Sequence, residues 1–137
     1  MEHRRINNMI YAVLKKDEDV FDTIMELAKK ENIRGGIILT GIGMLKEFKI
    51  GYWNGKQYEE LFIEKNHELV AFHGSISYTD PILHIHAELA GPDHKIIGGH
   101  LISGKVDPVL ELTIIDSGIE FKRKYNEKTN LKELSIL

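Results

Sequence analysis

Residues 83–89, LHIHAEL, alternate strictly between apolar and polar side chains. Successive side chains of a β-strand point to opposite faces of the sheet, so this alternation is typical of a strand buried on one face only. The apolar set would enter the core, and the polar set, which includes two histidines, would share the opposite face. A chain with this segment must therefore build a sheet around it.

Most of the remaining chain also divides into strand-length segments. A helical period of apolar residues occurs once, over residues 18–31, and Asp17 or Asp19 can cap its first turn. Gly41 and Gly43 would form a turn between two strands, and the tail would pair as a last short strand or dock on a neighbouring subunit. The strand-like segments are residues 9–14, 36–43, 44–53, 57–63, 68–78, 82–89, 96–102, 109–115 and 119–124, with the tail at 131–137.

This pattern predicts one domain over residues 1–137. Its class would be α+β, with a mostly antiparallel β-sheet and one main helix packed on it.

Composition limits the chemistry open to the chain. It contains no cysteine, so any transition-metal site must use histidine, aspartate or glutamate. The net charge of −3 gives no general supply of basic residues for phosphate contacts. The sequence has neither a signal-peptide pattern nor an apolar run of the roughly 18 residues that a membrane span needs. We therefore predict a cytoplasmic protein without membrane association.

Four of the seven histidines fall within residues 84–100. His84 and His86 share one strand face about 7 Å apart, a spacing that lets both imidazoles reach one cation. His100, behind a double glycine, is the candidate third ligand. It shares their face only if the hairpin register is shifted, for example by pairing Leu89 with Ile97, or if Gly98 and Gly99 form a bulge.

A solvated or hydrogen-bonded sheet face is the alternative interpretation of these residues. His73 is predicted to be a hydrogen-bonded sheet residue. We expect His3, His67 and His94 to lie on the surface, as should the short basic run of residues 122–124.

The segment PILHIHAELAGPDHKIIGGHLISGKV resembles the PPC domain, the "plants and prokaryotes conserved" family also known as domain of unknown function 296. The resemblance covers about residues 8–124. It extends upstream through ILTGIGML and AFHGSIS, and downstream through LELTI. The motif positions are Pro81, His84, His86, Gly98, Gly99, His100, Leu101, Gly104 and Val106.

The resemblance implies an antiparallel α+β domain, a homotrimer, and a zinc site built from His84, His86 and His100. It also implies DNA as a partner, since the plant members carry the domain behind an AT-hook. This sequence contains no Arg-Gly-Arg-Pro core of such a hook.

Two functions follow as hypotheses. The first is a homotrimeric binding or assembly protein with a histidine-built zinc site and a DNA-associated role. The alternative is a zinc-dependent hydrolase, in which a metal-bound water attacks a substrate and Glu88 or Glu111 is the general base.

Overall fold

The computed structural model describes residues 1–136, and within them the predicted class is confirmed: antiparallel β-structure dominates and one helix packs on it. A sheet contains strands β1 to β7, and β8 and β9 form a separate hairpin. The elements are β1 (Glu2–Ile6), β2 (Met9–Lys15), α1 (Val20–Lys30), β3 (Gly35–Trp53), β4 (Tyr58–Ile63), β5 (His67–Ser77), β6 (Leu83–Ala90), β7 (Ile96–Asp116), β8 (Phe121–Asn126) and β9 (Leu131–Ile136).

Strands β3 and β7 pair with each other along most of their length. β5 pairs with β3, β6 pairs with β5, and β6 also pairs with the first part of β7. These four pairings form a closed circuit of hydrogen-bonded strands. β2 and β4 extend the circuit on β7 and β3.

The prediction of a turn at Gly41 and Gly43 is wrong, because β3 runs through both glycines as one bulged strand. A Cβ on Gly41 would lie 2.7 Å from the Phe72 ring, and one on Gly43 would lie 2.0 Å from the carbonyl oxygen of Val109. Glycine therefore serves close packing of neighbouring strands here. The segments 96–102 and 109–115, predicted as two strands, are likewise one strand, β7.

The helix begins after Asp19, whose carboxylate accepts hydrogen bonds from the backbone N–H groups of Phe21 and Asp22. This confirms one of the two predicted caps. Val20, Ile24 and Leu27 are fully buried, so the apolar face of the helix closes one side of the core.

The first and last strands each pair with the neighbouring strand in sequence. β1, which the sequence pattern did not predict, pairs with β2, and β9 pairs with β8. The tail thus forms the predicted last strand as far as Ile136, while Leu137 lies outside the described residues. No helix in residues 1–136 is long and apolar enough to cross a membrane.

Candidate metal centre

β6 has the two faces that its alternation predicts. Its apolar residues point into the core and are at most 6% exposed, whereas His84 is half-buried and His86 is exposed on the opposite face. The apolar residues are Leu83, Ile85, Ala87 and Leu89.

The register between β6 and β7 brings His100 to the histidine face. Leu89 pairs with Ile97 and His86 pairs with His100, which is the shifted register given above as one of two conditions for a shared face. No bulge interrupts this pairing. A Cβ on Gly99 would lie 2.7 Å from the carbonyl oxygen of Gly51, so the second glycine of the pair lets β7 approach β3 closely.

The three imidazoles form one cluster. One ring nitrogen from each of His84, His86 and His100 lies within 4.8 Å of the others. The Nε2 atoms of His84 and His86 are 3.2 Å apart, and the rings of His84 and His100 are separated by 4.9 Å between centroids. Such spacing suits three ligands of a single ion.

Tyr58 supports the cluster from β4. Its ring stacks on His100 with centroids 4.5 Å apart and planes at 19°. A Cβ on Gly51 would lie 3.0 Å from this ring, so glycine at that position of β3 leaves room for the stack.

Burial favours the neutral form of all three imidazoles. It lowers the pKa of His100 to about 4, with smaller contributions from the positive charge that His84 and His86 would carry. Burial is also the main cause of a lowered pKa at His84, helped by His86 and Arg123, and at His86, helped by His73. A neutral imidazole is the form that binds a metal ion.

The residues fit a metal ion by a second criterion. The Nδ1 atom of His100 is buried and has no hydrogen-bond partner in the described chain. Buried polar atoms are almost always satisfied, so an unpaired nitrogen beside two further imidazoles fits the role of a metal ligand. An all-imidazole donor set suits zinc and its neighbours in the first transition row.

Arg123 also belongs to the site, although the sequence pattern predicts a solvated strand end over residues 122–124. Its Nη2 donates a hydrogen bond to the hydroxyl of Ser75 at 2.6 Å, and its Nε is buried without a partner in residues 1–136. Phe121, two positions earlier on the same face of β8, is buried. Residues two apart on a strand share a face, so the apolar Phe121 was the sequence signal that the Arg123 side chain faces the body of the protein.

The proposed general bases lie outside the cluster. Glu88 is exposed on β6 and contributes no atom to the group of converging ligands. Glu111 pairs with Val13 and Ile42 and lines a separate cavity of about 430 Å³. The hydrolase hypothesis therefore gains no support from either carboxylate.

The remaining histidines lie outside the cluster as well. His73 faces His86 across β5 and β6, with ring centroids 6.3 Å apart. His94 is exposed, as predicted. His3 and His67 are instead partly buried: His3 Nε2 lies 2.8 Å from a carboxylate oxygen of Glu31, and the His67 ring packs edge-on against Phe48.

Comparison with known proteins gives a family match. The family model of the Plants and Prokaryotes Conserved (PCC) domain matches residues 1–117. No curated protein is similar enough to match.

Solved structures with the same fold come from archaea and bacteria. A plant- and prokaryote-conserved (PPC) protein from Pyrococcus horikoshii is 29% identical, with a TM-score of 0.81 over 96% of this chain and 93% of that one. A metal-containing protein from Archaeoglobus fulgidus is 26% identical, with a TM-score of 0.85 over 96% and 95%. A Bacteroides thetaiotaomicron protein, whose name assigns DNA binding only provisionally, is 22% identical, with a TM-score of 0.91 over 98% and 96%.

Proposed function

This chain belongs to the Plants and Prokaryotes Conserved (PCC) domain family, and from that premise we propose that it binds one zinc ion through His84, His86 and His100. The role of the ion would be to fix β6 and β7 together and to offer one open coordination position at the surface of the sheet. The function would be that of a metal-dependent binding and assembly protein.

The convergence of the three imidazoles carries this proposal. Their ligand atoms lie within 4.8 Å of one another although His100 is separated from the other two by a hairpin. A sheet face that is simply solvated does not explain this convergence, because one of the clustered ring nitrogens is buried and unpaired among the described residues.

Zinc is the ion that this donor set favours. The chain offers no thiolate, and neutral imidazole is a standard ligand of zinc at about 2.0–2.1 Å. The Archaeoglobus fulgidus neighbour is itself named as a metal-containing protein. Within residues 1–136 the cluster includes no fourth histidine or carboxylate, a pattern that resembles zinc sites with one exchangeable position.

Metal analysis of untagged protein tests the proposal. We expect about one zinc per chain by plasma mass spectrometry, falling at least tenfold in His100→Ala and in His84→Ala, because two imidazoles alone bind zinc weakly. His94→Asn is the matched control: it removes an exposed imidazole outside the cluster, and asparagine tolerates the positive φ of 61° at this position. Stoichiometric nickel or copper would correct the identity of the ion, and metal-free wild-type protein would refute the site.

We also propose that the chain assembles as a homotrimer. β2, β7 and the first half of β3 lie side by side, and their outward face carries exposed Tyr11, Ile37 and Ile42. The helix covers the core side of the sheet, so it leaves this apolar face open. Apolar surfaces of this kind are typical of interfaces between subunits.

DNA is not included in the proposal. Acidic residues outnumber basic ones by 21 to 18, and non-specific DNA affinity depends on basic side chains that neutralise phosphates. The neighbours whose names mention DNA binding are 22% and 21% identical to this chain, a level at which only the fold is shared.

A further inference from the structure

A cavity of about 770 Å³ lies in front of the histidine cluster. His84 and His100 form part of its wall, Trp53 and Tyr58 form an aromatic side, and the β8–β9 hairpin closes the opposite side. This volume is within the range of about 300–1,000 Å³ that small-molecule sites occupy, and a mostly apolar wall with a few polar groups is typical of them.

Arg123 supplies an uncompensated positive charge in this cavity. Within residues 1–136 no carboxylate forms an ion pair with its guanidinium, and its Nε is buried without a partner. The other cation of the wall, Lys132, is paired with Asp80 at 2.9 Å. The one acidic residue of the wall in the described chain, Glu133, accepts hydrogen bonds from Asn126 and Thr129 instead. A partly buried charge without a counter-ion is costly, so the Arg123 end of the cavity favours an anion.

The strand register places this charge beside the histidines. Arg123 donates its hydrogen bond to Ser75, and Ser75 pairs directly with His84 across β5 and β6. Side chains of directly paired residues share a face, with Cβ atoms about 5 Å apart. The backbone N–H of Arg123 also donates to Thr79 Oγ1 at 2.7 Å, which fixes the position of β8.

We propose that this cavity binds a small organic carboxylate with an apolar body. Its carboxylate would lie between the Arg123 guanidinium and the open position of the metal ion, so this end of the site rests on the proposed function. Its apolar body would pack against Trp53 and Tyr58. A single arginine fork matches the two oxygens of one carboxylate, which is why we favour a monoanion.

Benzoate is a suitable probe, and its neutral isostere benzamide reports on the charge. We expect calorimetric titration of zinc-loaded protein to detect benzoate binding and no benzamide binding. Arg123→Gln should weaken benzoate affinity at least tenfold while metal content stays unchanged. Arg123→Lys keeps the charge without the fork, and its affinity should fall between the two.

Lys124→Gln is the matched control. It removes the same charge one position along β8, where the side chain is exposed on the opposite face of the hairpin, and benzoate affinity should be unchanged. Far-ultraviolet circular dichroism of every variant shows whether the hairpin is still folded. If Arg123→Gln unfolds, the comparison of Arg123→Lys with wild type decides the question.

The outcomes separate this site from the metal site, because metal content is measured on the same samples. Fully metal-loaded protein that ignores benzoate, or binds benzamide and benzoate equally, refutes the carboxylate site alone. Metal-free protein that still binds benzoate through Arg123 refutes the metal alone. If Arg123→Gln changes the sedimentation mass and benzoate does not bind, the anion is a carboxylate of a second copy and the proposal is wrong.

Discussion

At the scale of single residues, His100 is the most informative position in the molecule. Its ring is stacked on Tyr58, its Nδ1 is buried with no hydrogen-bond partner among the described residues, and its pKa is lowered to about 4. Leaving a buried polar atom unpaired costs about 1–3 kcal/mol, and a bound ligand that satisfied this nitrogen would recover that cost. The fold therefore holds His100 in the neutral form that binds a metal ion.

Acid should destabilise the metal-free protein through His100. The pKa falls from 6.5 to about 4 on folding, so between these values the unfolded chain binds a proton that the folded chain does not. The free energy of unfolding therefore decreases as the pH drops from 6.5 towards 4, and this contribution levels off below 4. Urea unfolding in the presence of a chelator, at a series of pH values, measures it.

His100→Gln removes the titrating group and should reduce the slope of stability against pH in that window. His94→Asn, which alters a histidine outside the cluster, provides the comparison at equal histidine count. Parallel pH profiles for wild type and His100→Gln would mean that the His100 ring titrates normally in the folded protein.

At the scale of elements, close contacts between strands determine the position of the ligands. A Cβ on Gly74 would lie 2.2 Å from the carbonyl oxygen of His84, so β5 and β6 can approach only where no side chain intervenes. Ser75 and His84 are paired at the same point. The glycine thus sets the separation between the strand that supports Arg123 and the strand that carries two of the histidines.

Gly74→Ala should destabilise the fold and weaken the metal site together. The added methyl meets backbone, which cannot rotate away, and overpacking of this kind costs about 1–3 kcal/mol. Because the clash falls on His84 itself, we expect zinc affinity to fall as well, measured by competition with a chromophoric chelator. Val70→Ala, on the same strand but 54% exposed, should change the free energy of unfolding by less than about 0.5 kcal/mol.

Local sequence predicted those features that depend on local periodicity. The alternation of residues 83–89 gave the correct faces of β6. Parity gave two ways to bring His100 to the histidine face, a shifted register such as Leu89 with Ile97 or a bulge at Gly98 and Gly99, and the structure has the shifted register. The local sequence pattern did not predict that β3 continues, with bulges, through Gly41 and Gly43. That continuity depends on Phe72 and Val109, which are distant in sequence and pack against the two glycines.

The same distinction explains the site. His84 and His86 could be nominated from their spacing of two residues, and His100 because its strand follows the next turn, whereas Tyr58 reaches His100 only through the pairing of β4 with β3 and of β3 with β7. Arg123 was missed because Lys122 and Lys124 give its segment the composition of a solvated strand, although only Arg123 shares a face with buried Phe121.

At the scale of the whole molecule, the closed circuit of strands leaves one sheet face without a covering layer. The helix packs over the inner side, where Ile10, Ile38 and Leu112 are buried. On the outer side of the same three strands, Tyr11 is 47% exposed and Ile42 is 63% exposed. An exposed apolar sheet face of this kind is typical of a protein–protein interface, and in the proposed homotrimer a neighbouring subunit would cover it.

Ile42→Glu tests this assembly, since it places a charge in the middle of the outer face. We expect wild-type protein to sediment with about three times the chain mass of 15.7 kDa and Ile42→Glu to sediment as a monomer, because an unpaired carboxylate in an apolar interface costs several kcal/mol. The variant should keep its fold, since Ile42 points away from the core. Ile96→Glu is the control: this residue is 55% exposed at the start of β7, where the strand pairs with β6 and not with β2, and its substitution should leave the mass unchanged. A monomeric wild-type protein at micromolar concentration, or an Ile42→Glu variant that retains the wild-type mass, would show that the outer face does not form a subunit interface.

The zinc content of the monomeric variant shows where the metal site lies. If it remained at one per chain, the site would lie within a single subunit, whereas loss of zinc on dissociation would mean that a neighbouring subunit completes the site.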